Sequence, residues 1–448
     1  MSLVELERWG PAGWDTLAGI IIDRPESGLL SPMRLDYQRQ DGCTCVALPG
    51  VTLELEDFQE DDFVPVISLQ FVLWASPQVP GEVLETYEGE PIAALLRDLV
   101  PSGWARRRLL ERLETPRWQE GRIQDGPQHD VRLLNEGARS PIGNFRIKGP
   151  GISCGSFPSI PLDIECAGDW HWPYEPFNEV AGLCDIHPIW AGLGAGGENP
   201  KLLINRADDG QFYLDGNEPD GCVITDYWLV KWPREPVSRN RIDILRAEYL
   251  YLNALGSLGF DVPEVRWQPD ALWVRRFDRG PSGERYPVES LYNVMGKIGN
   301  GARLSHIDAL EVILPLASDP DGMLVEYLIR DHINRLLGNS DNHGRNTSFH
   351  RTFHGLELTP IYDVSPMVMD QDGIAWSTTW PRDWQKGGNP DWQSVIQRFA
   401  HSPDRVWAGL QSRSAALTEL QRTDAWQALP ESVTRHPRVL PIGVPIGL

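Results

Sequence analysis

The chain has 448 residues, more than a single hydrophobic core usually organises, so its length predicts two or three domains. A formal net charge of −22 argues against a broad nucleic-acid-binding surface, because phosphates are neutralised by basic surfaces. The sequence has no apolar run long enough for a membrane span, no recognisable signal peptide at its start and no paired cysteine spacing, so we expect a reduced, cytoplasmic protein without membrane contact.

The first 150 residues read as a separate unit. An apolar run at 65–74 predicts a buried strand, and the pattern at 90–101 predicts a helix that a proline ends. A second helix follows, with Ser102 as its cap. Further on, the segment 165–190 is rich in Trp and Pro and has no period, so it predicts no regular element.

From residue 190 onward the patterns predict regular elements, followed beyond 380 by a helical C-terminal region. They are a glycine-rich turn entering a strand at 191–204, a strand at 226–233, a helix at 240–259, a strand at 271–279, a helix at 321–338 and a hairpin within 347–364. The buried faces predicted for the two helices are Ile244, Leu245, Tyr249, Leu252 and Leu255, and Val325, Leu328, Ile329, Ile333 and Leu336. A glycine ends each helix.

Polar features within these elements follow the order that phosphoryl transfer from ATP requires. A loop without side chains lets backbone N–H groups approach phosphates, as Gly194, Gly196 and Gly197 would allow. A lysine on a neighbouring strand should hold the α- and β-phosphates, and Lys231 is the candidate. An acidic residue on the next helix should pair with that lysine, and Glu248 lies at the expected place.

The stretch "GNSDNHGRNTS" supplies the reacting end of such a site. Asp341 could accept or orient the proton of an attacking hydroxyl. Asn346 could bind Mg²⁺ without adding charge, with Asp363 as a second ligand; protein kinases have the same D-x4-N spacing. Arg345 could counter phosphate charge, and His343 could order the loop. Each residue alone would more simply be a cap, a turn residue or a solvated charge, but their order favours the joint interpretation.

These residues resemble the HipA-like serine/threonine kinases, the toxin half of bacterial HipA–HipB toxin–antitoxin modules. The resemblance is carried by "GAGGENPKLLI", "WLVKWP", "AEYLYLNALGSLGFDVPE", "WVRRFDR", "LIRDHINRLLGNSDNHGRNTSF" and "LTPIYDVSP". The loop is close to the family form G-N-x-D-x-H-x-K-N. Together the segments cover about 190–366 in family order.

The resemblance implies an α+β protein with a two-lobed protein-kinase-like fold and an additional small N-terminal α/β domain. The N-terminal domain would span 1–150, the N-lobe 151–280 and a mostly helical C-lobe 281–448. The catalytic loop would contribute Asp341, His343, Arg345 and Asn346. The remaining implied contacts are Gly196, Gly197 and Lys201 in the phosphate loop, Lys231 with Glu248 at the phosphates, Arg275 to Phe277 as the hinge that meets adenine mainly through backbone, and Asn346 and Asp363 as Mg²⁺ ligands.

The resemblance also implies a protein substrate, with translation factors such as an aminoacyl-tRNA synthetase as the substrate class. A small helix-turn-helix antitoxin would bind the kinase, and DNA would be reached only through it. The chain departs from the family in residues 190–197, which contain no Ser or Thr, so silencing by autophosphorylation of this loop is not expected. It also has Arg345 where the family has lysine, and Arg275 where an acidic residue is common.

Three other interpretations stay open. Lipid and small-molecule kinases use the same D-x-H-x-x-N loop, although the chain shows no basic or apolar patch for a membrane. A metallophosphoesterase could use "DIH" at 185–187 and "DNH" at 341–343, but further Asp and His ligands are missing. A kinase-fold scaffold without strong catalysis would keep the fold and bind a partner. ATP turnover would separate a scaffold from a kinase.

Overall fold

A computed structural model describes residues 1–10, 13–37, 87–88, 90–113, 125–137, 141–148, 197–216, 218–219, 221–234, 236–268, 271–298, 301–352 and 354–439. The strand predicted at 65–74, the segment 165–190, and Gly194 and Gly196 of the glycine-rich turn lie outside these described residues.

The N-terminal region forms an antiparallel sheet covered by helices. The sheet has five strands in the order β4-β3-β2-β1-β5. Its strands are β1 (Ser2–Gly10), β2 (Gly13–Ile22), β3 (Met33–Tyr37), β4 (Tyr87–Glu88) and β5 (Phe145–Lys148), and its helices are α1 (Glu90–Leu99), α2 (Gly103–Leu113) and α3 (Asp130–Gly137). Alternate residues of β1 and β2 are buried, among them Val4, Leu6, Ile20 and Ile22, and they form one core with apolar residues of the helices. We call this sheet and α1–α3 the N-terminal layer.

A second antiparallel sheet follows, with strand order β7-β6-β8-β10-β9. Its strands are β6 (Lys201–Ala207), β7 (Phe212–Leu214), β8 (Ile224–Lys231), β9 (Val265–Gln268) and β10 (Ala271–Arg275). Buried Leu202, Trp228 and Trp273 pack on one side of it. The helix α4 (Arg239–Ser257) lies against the other side, where Leu245 contacts Leu272.

The helices α4 and α7 (Pro320–Leu337) carry clear start and stop signals. Ser238 caps α4 by accepting the N–H of Arg241 at 3.3 Å. The corresponding cap of α7 is Asp319, a proline occupies its first turn, and Gly338 ends it with a left-handed φ of 68°. Both helices lie within two residues of the bounds that the sequence predicts.

The rest of the chain combines helices with short strands and shares one core with α4 and α7. Its helices are α5 (Leu291–Val294), α6 (His306–Ile313), α8 (Trp392–Phe399), α9 (Pro403–Thr418), α10 (Asp424–Gln427) and α11 (Glu431–Thr434). Its strands are β11 (Val288–Ser290), β12 (Leu304–Ser305), β13 (Ser348–Thr352), β14 (Gly355–Leu358), β15 (Thr378–Thr379), β16 (Gln385–Lys386) and β17 (Asn389–Pro390). In the described residues, no helix combines the length and apolar character that crossing a bilayer requires.

Two predicted strands are longer than the observed ones. The strand predicted at 271–279 ends at Arg275, and the second strand of the predicted hairpin ends at Leu358. Pro360 lacks the N–H that a longer ladder would need at that position. Asp363 therefore lies on irregular backbone after the hairpin.

Candidate active site

Two lysines lie side by side on the second sheet. Lys201 of β6 is directly opposite Lys231 of β8 in the antiparallel register, so both side chains project to the same face. Both residues are buried, at 6% and 5% exposure. The ammonium group of Lys201 lies against Gly197, since a Cβ added to that glycine would be 3.0 Å from Nζ. The end of the predicted phosphate loop and both candidate phosphate-binding cations are therefore adjacent.

Lys231 holds two carboxylates that are far apart in sequence. Its Nζ donates to Oε1 and Oε2 of Glu248 at 2.8 and 2.9 Å, and it also donates to Oδ1 of Asp363. Burial opposes the charge on Lys231, but the two carboxylates outweigh it and raise its pKa. Burial likewise opposes the charge on Asp363, yet Lys231 and Lys201 lower its pKa to about 2. We therefore expect both Lys231 and Asp363 to be ionised at neutral pH.

Lys201 is electrostatically different from Lys231. Burial, together with the charge of Lys231, lowers the pKa of Lys201 to about 8. The carboxylates of Asp363 and Glu248 oppose this shift without cancelling it. The charge of Lys201 thus changes within a mildly alkaline range.

The loop after α7 is organised by its own amide side chains. Asn346 donates its amide N–H to the backbone oxygen of Asp341 at 2.7 Å. The side-chain oxygen of Asn339 accepts the N–H of Asp341 at 3.3 Å. The imidazole Nε2 of His343 is 3.6 Å from Oδ1 of Asp341, and its Nδ1 accepts the N–H of Arg345 at 3.2 Å. The Asp341 carboxylate is thus presented by a closed turn.

The surroundings of Asp341 raise the pKa of its carboxyl group. Its side chain is 31% exposed, so solvent and ligands can reach it. Burial of the remainder raises its pKa, the charge of nearby Asp363 adds to the shift, and His343 opposes it. A carboxyl with an increased affinity for protons suits a group that accepts one from a substrate hydroxyl.

Asp363 is held to the same loop through a strained backbone. Its φ is 57°, which in the described part of the chain makes it the one non-glycine residue with positive φ. The Asn339 side chain donates to the backbone oxygen of Asp363 at 3.1 Å, which helps to fix this conformation. Strained backbone of this kind concentrates at functional sites, where surrounding contacts maintain it.

Asn346 and Asp363 offer the donor types that Mg²⁺ prefers. Because the amide nitrogen of Asn346 is bonded to Asp341, its side-chain oxygen is directed elsewhere, and no group in the described residues donates to it. Asp363 supplies a carboxylate. Hard oxygen ligands of this kind, completed by phosphate oxygens and water, fit Mg²⁺. The described residues contain no cluster of three or more His, Cys, Asp or Glu suited to a metal.

Other predicted site residues lie outside this group of contacts. Arg275 pairs with Asp226 at 2.9 Å and with Glu264 at 3.2 Å, and its side chain is 43% exposed. The backbone N–H groups of Arg275 and Arg276 are already bonded to carbonyls, at 2.8 and 2.9 Å, which restricts what this stretch can offer a nucleotide base. Phe277 packs against Tyr362, with ring centroids 5.5 Å apart.

The N-terminal layer contacts both loops of the site, which the sequence did not predict. The carbonyl of Gly197 accepts the N–H of Trp104 at 3.1 Å. Gly103 is required here, because a Cβ on it would lie 2.1 Å from that carbonyl oxygen. At the candidate catalytic loop, Arg345 donates to Ser102 at 2.8 Å. No local pattern could reveal contacts between residues so far apart in sequence.

The chain is similar to a known protein family and to solved structures. The chain matches the family described as HipA-like C-terminal domain over residues 193–426, more than half of its length. Among solved structures, it is similar to the HipA toxin of Shewanella oneidensis MR-1 in complex with HipB and operator DNA, with a TM-score of 0.58, 16% identity, and 95% of this chain and 91% of that chain covered. This likeness concerns the fold.

A second solved structure is the proinflammatory kinase CtkA of Helicobacter pylori. It matches with a TM-score of 0.29 and 14% identity, covering 46% of this chain and 92% of that chain, and a score this low carries no argument about fold or function. The search of curated proteins found no match.

Proposed function

The chain belongs to the HipA-like family, and from that premise we propose that it is an ATP- and Mg²⁺-dependent serine/threonine protein kinase of the HipA toxin type. It would have the two-lobed architecture of protein kinases, with ATP between the second sheet and the helical C-terminal half. Its acceptor would be a hydroxyl of a cytoplasmic protein.

One observation carries this proposal. Lys231 on β8 contacts both Glu248 of α4 and Asp363, the residue that Asn339 ties to the loop of Asp341. These contacts bring together a candidate phosphate-binding cation, its acidic partner and a candidate metal ligand. The candidate base lies beside them. Protein kinases need this set of groups to position and neutralise a transferring phosphoryl group.

The proposed step is in-line transfer of the γ-phosphoryl group. Asp341 orients the acceptor hydroxyl and takes its proton as the oxygen bonds to the γ-phosphorus. The bond between that phosphorus and the bridging oxygen breaks, and ADP leaves. Lys231 and Lys201 hold the phosphates, and Glu248 keeps Lys231 extended toward them. Asn346 and Asp363 would hold Mg²⁺, which would neutralise charge on the phosphates.

Partners are proposed on the same premise. The solved Shewanella HipA complex contains HipB and operator DNA. We expect a small helix-turn-helix antitoxin to bind this chain, and DNA to be reached only through it, because the net charge of −22 disfavours direct binding. The protein substrate belongs to the cytoplasm, with translation factors as the first class to examine.

The test is transfer of labelled phosphate from γ-labelled ATP into a bacterial lysate. Wild type should label at least one protein band, and Asp341→Ala should abolish the labelling while retaining most ATP affinity. Asp404→Ala, at an exposed position in α9, is the matched control and should label as wild type does.

Two alternative functions give different results in this assay. If ATP binds and no phosphate is transferred to any acceptor, the chain is a kinase-fold scaffold. If label appears only in the lipid or small-molecule fraction, the acceptor class is wrong although the chemistry is right.

A further inference from the structure

Arg345 projects from the candidate catalytic loop into the N-terminal layer. Its NH1 donates to Oγ of Ser102 at 2.8 Å, and its NH2 donates to the backbone oxygen of Arg97 at 2.9 Å. Its Nε lies 4.0 Å from Oδ1 of Asp98. Both terminal nitrogens of the guanidinium are therefore bonded to a part of the chain about 240 residues away. The D-x4-N motif does not require these contacts.

The acceptors are well suited to a fixed cation. Arg97 lies in the last turn of α1, where backbone carbonyls lack partners within the helix. A positive charge at a helix C-terminus is also favoured by the helix dipole. Ser102 is buried, at 6% exposure, and lies between the end of α1 and the start of α2. Both acceptors thus lie where α1 ends and α2 begins.

The end of α1, which accepts the Arg345 side chain, is itself bonded to the C-terminal half of the chain. Asp98 accepts both the N–H and the hydroxyl of Ser290, at 3.1 and 2.8 Å. The same hydroxyl caps α5 by accepting the N–H of Asn293 at 3.2 Å. The end of α1 is thus fixed relative to the elements around the catalytic loop, so it can serve as a rigid support.

The backbone of Arg345 is linked to the other half of the site. Its carbonyl oxygen accepts the hydroxyl of Tyr362 at 2.6 Å, and that hydroxyl also bonds Ser348 at 2.6 Å. Tyr362 directly precedes Asp363. One residue therefore connects the N-terminal layer, the loop of Asp341 and the segment that carries the candidate metal ligand.

We propose that Arg345 is a positioning residue, whose guanidinium fastens the Asp341–Asn346 loop to the N-terminal layer through Ser102 and the carbonyl of Arg97. It acts through the loop and does not neutralise phosphate charge. The N-terminal layer is then a working part of the site, because it supplies the fixed points for the loop. The expected loss of phosphate-transfer rate rests on the proposed kinase function, whereas the expected loosening of the Asp341–Asn346 loop does not.

Three variants separate positioning from charge. Arg345→Ala removes both bonds, Arg345→Lys keeps the charge but cannot reach two separate acceptors with one fixed fork, and Ser102→Ala removes one acceptor while leaving Arg345 in place. Under the positioning proposal, kcat for phosphate transfer falls ~10-fold or more in both Arg345 variants and a few-fold in Ser102→Ala, since a displaced catalytic group loses its alignment. KM for ATP changes less than ~2-fold, because the contacts of Lys231 remain.

Hydrogen–deuterium exchange gives a second readout that needs no catalysis. Peptides covering 339–347 should exchange faster in all three variants than in wild type, in the full-length protein without nucleotide. Ser257→Ala and Arg422→Ala are the matched controls, since Ser257 bonds only within its own helix end and Arg422 pairs with Glu419 on the surface. They should leave both exchange and kcat unchanged.

The outcomes distinguish the hypotheses. Wild-type kcat in Arg345→Lys, together with unaffected transfer and exchange in Ser102→Ala, would overturn positioning and restore the charge role. If wild type transfers no phosphate to any acceptor, the proposed function fails, and exchange alone then decides: unchanged exchange of 339–347 in the Arg345 variants overturns the inference. If Arg345→Ala does not fold, Arg345→Lys and Ser102→Ala carry the test.

Discussion

Lys231 is a buried cation whose charge is compensated by two acidic side chains. Its side chain is 7% exposed, and that of Glu248 is 3% exposed, so water cannot replace either partner. Removing one member of such a cluster leaves an uncompensated buried charge, which costs about 3–5 kcal/mol. Stability therefore reports on this cluster independently of any activity.

Lys231→Met should destabilise the protein by about 3–5 kcal/mol, because Glu248 and Asp363 are left close together without their cation. Urea unfolding at pH 7, followed by tryptophan fluorescence, measures the loss. Lys386→Met is the control, since the Lys386 side chain is 71% exposed and its ion pair with Asp391 should contribute no more than about 1 kcal/mol. Equal losses in the two variants would contradict the buried-cluster argument.

Lys201 should make ATP binding pH-dependent. Because its pKa is lowered to about 8, it carries its charge below that pH and loses it above. Above pH 8, binding a phosphate at Lys201 requires uptake of a proton, so we expect Kd for Mg-ATP to rise toward ~10-fold per pH unit. Lys201→Arg should abolish this dependence, since a guanidinium stays protonated. Titrations between about pH 7 and 9.5 measure it. A wild-type Kd independent of pH would contradict a phosphate contact by a Lys201 whose pKa is about 8.

The same shift affects folding stability with a defined sign. The folded-state pKa of Lys201 is about 8, below its ordinary value of 10.5, so the unfolded chain binds more protons between these two pH values. This group alone therefore makes the free energy of unfolding increase as pH rises through that window. Lys201→Arg should remove this increment from the pH profile of urea unfolding.

At the scale of elements, local signals decided what could be predicted. The helices α4 and α7 have caps, terminal glycines and apolar faces within their own sequences, and the structure reproduces them with small changes at the ends. Tyr249 and Val325, predicted as buried, are only partly so, because they lie at the edges of their apolar faces. Asp363 was expected at the end of a hairpin strand, but its left-handed backbone depends on Asn339, a contact that no periodicity encodes.

Gly338 tests how the end of α7 leads into the candidate catalytic loop. Gly338→Ala should be more destabilising than Gly373→Ala by at least about 1 kcal/mol, although both positions have φ near 70° and share the left-handed cost. A Cβ at Gly338 would lie 2.7 Å from Val368 and 3.2 Å from the oxygen of Arg438, whereas Gly373 has nothing within 4 Å. Thermal and urea unfolding measure the difference. Equal decreases in the free energy of unfolding would show that the groups around Gly338 move aside at no cost in free energy.

At the scale of the molecule, polar contacts join the two largest hydrophobic cores of the described residues. One core belongs to the N-terminal layer, and the other runs from α4 to the last helix. The joining contacts include a fully buried group in which Asp278 accepts from Arg276, from Arg279 and, at 2.8 Å, from the N–H of Gly143. These partners are separated by up to 135 residues, so the sequence predicted an N-terminal unit without predicting how it attaches.

Asp278→Ala should uncouple the N-terminal layer from the rest of the chain. Burial opposes the charge of Asp278, but Arg276 and Arg279 outweigh it and hold its pKa well below its usual range, so the carboxylate is ionised. Its removal leaves two buried guanidinium groups that share Asp215 as their remaining acidic partner among the described residues. We expect a loss of about 3–5 kcal/mol and an unfolding curve that separates into two transitions, the first reporting the N-terminal layer.

Calorimetry and hydrogen–deuterium exchange of α1 and α2 measure this uncoupling together. Asp404→Ala, at an exposed helix start, should keep the wild-type curve within about 1 kcal/mol. If Asp278→Ala unfolds in one transition with uniform exchange, the two cores are joined by other contacts. If α1 and α2 exchange early while α4 and α7 stay protected, then the buried ion group is what makes the N-terminal layer part of the candidate site, because the supports of Arg345 would be lost with it.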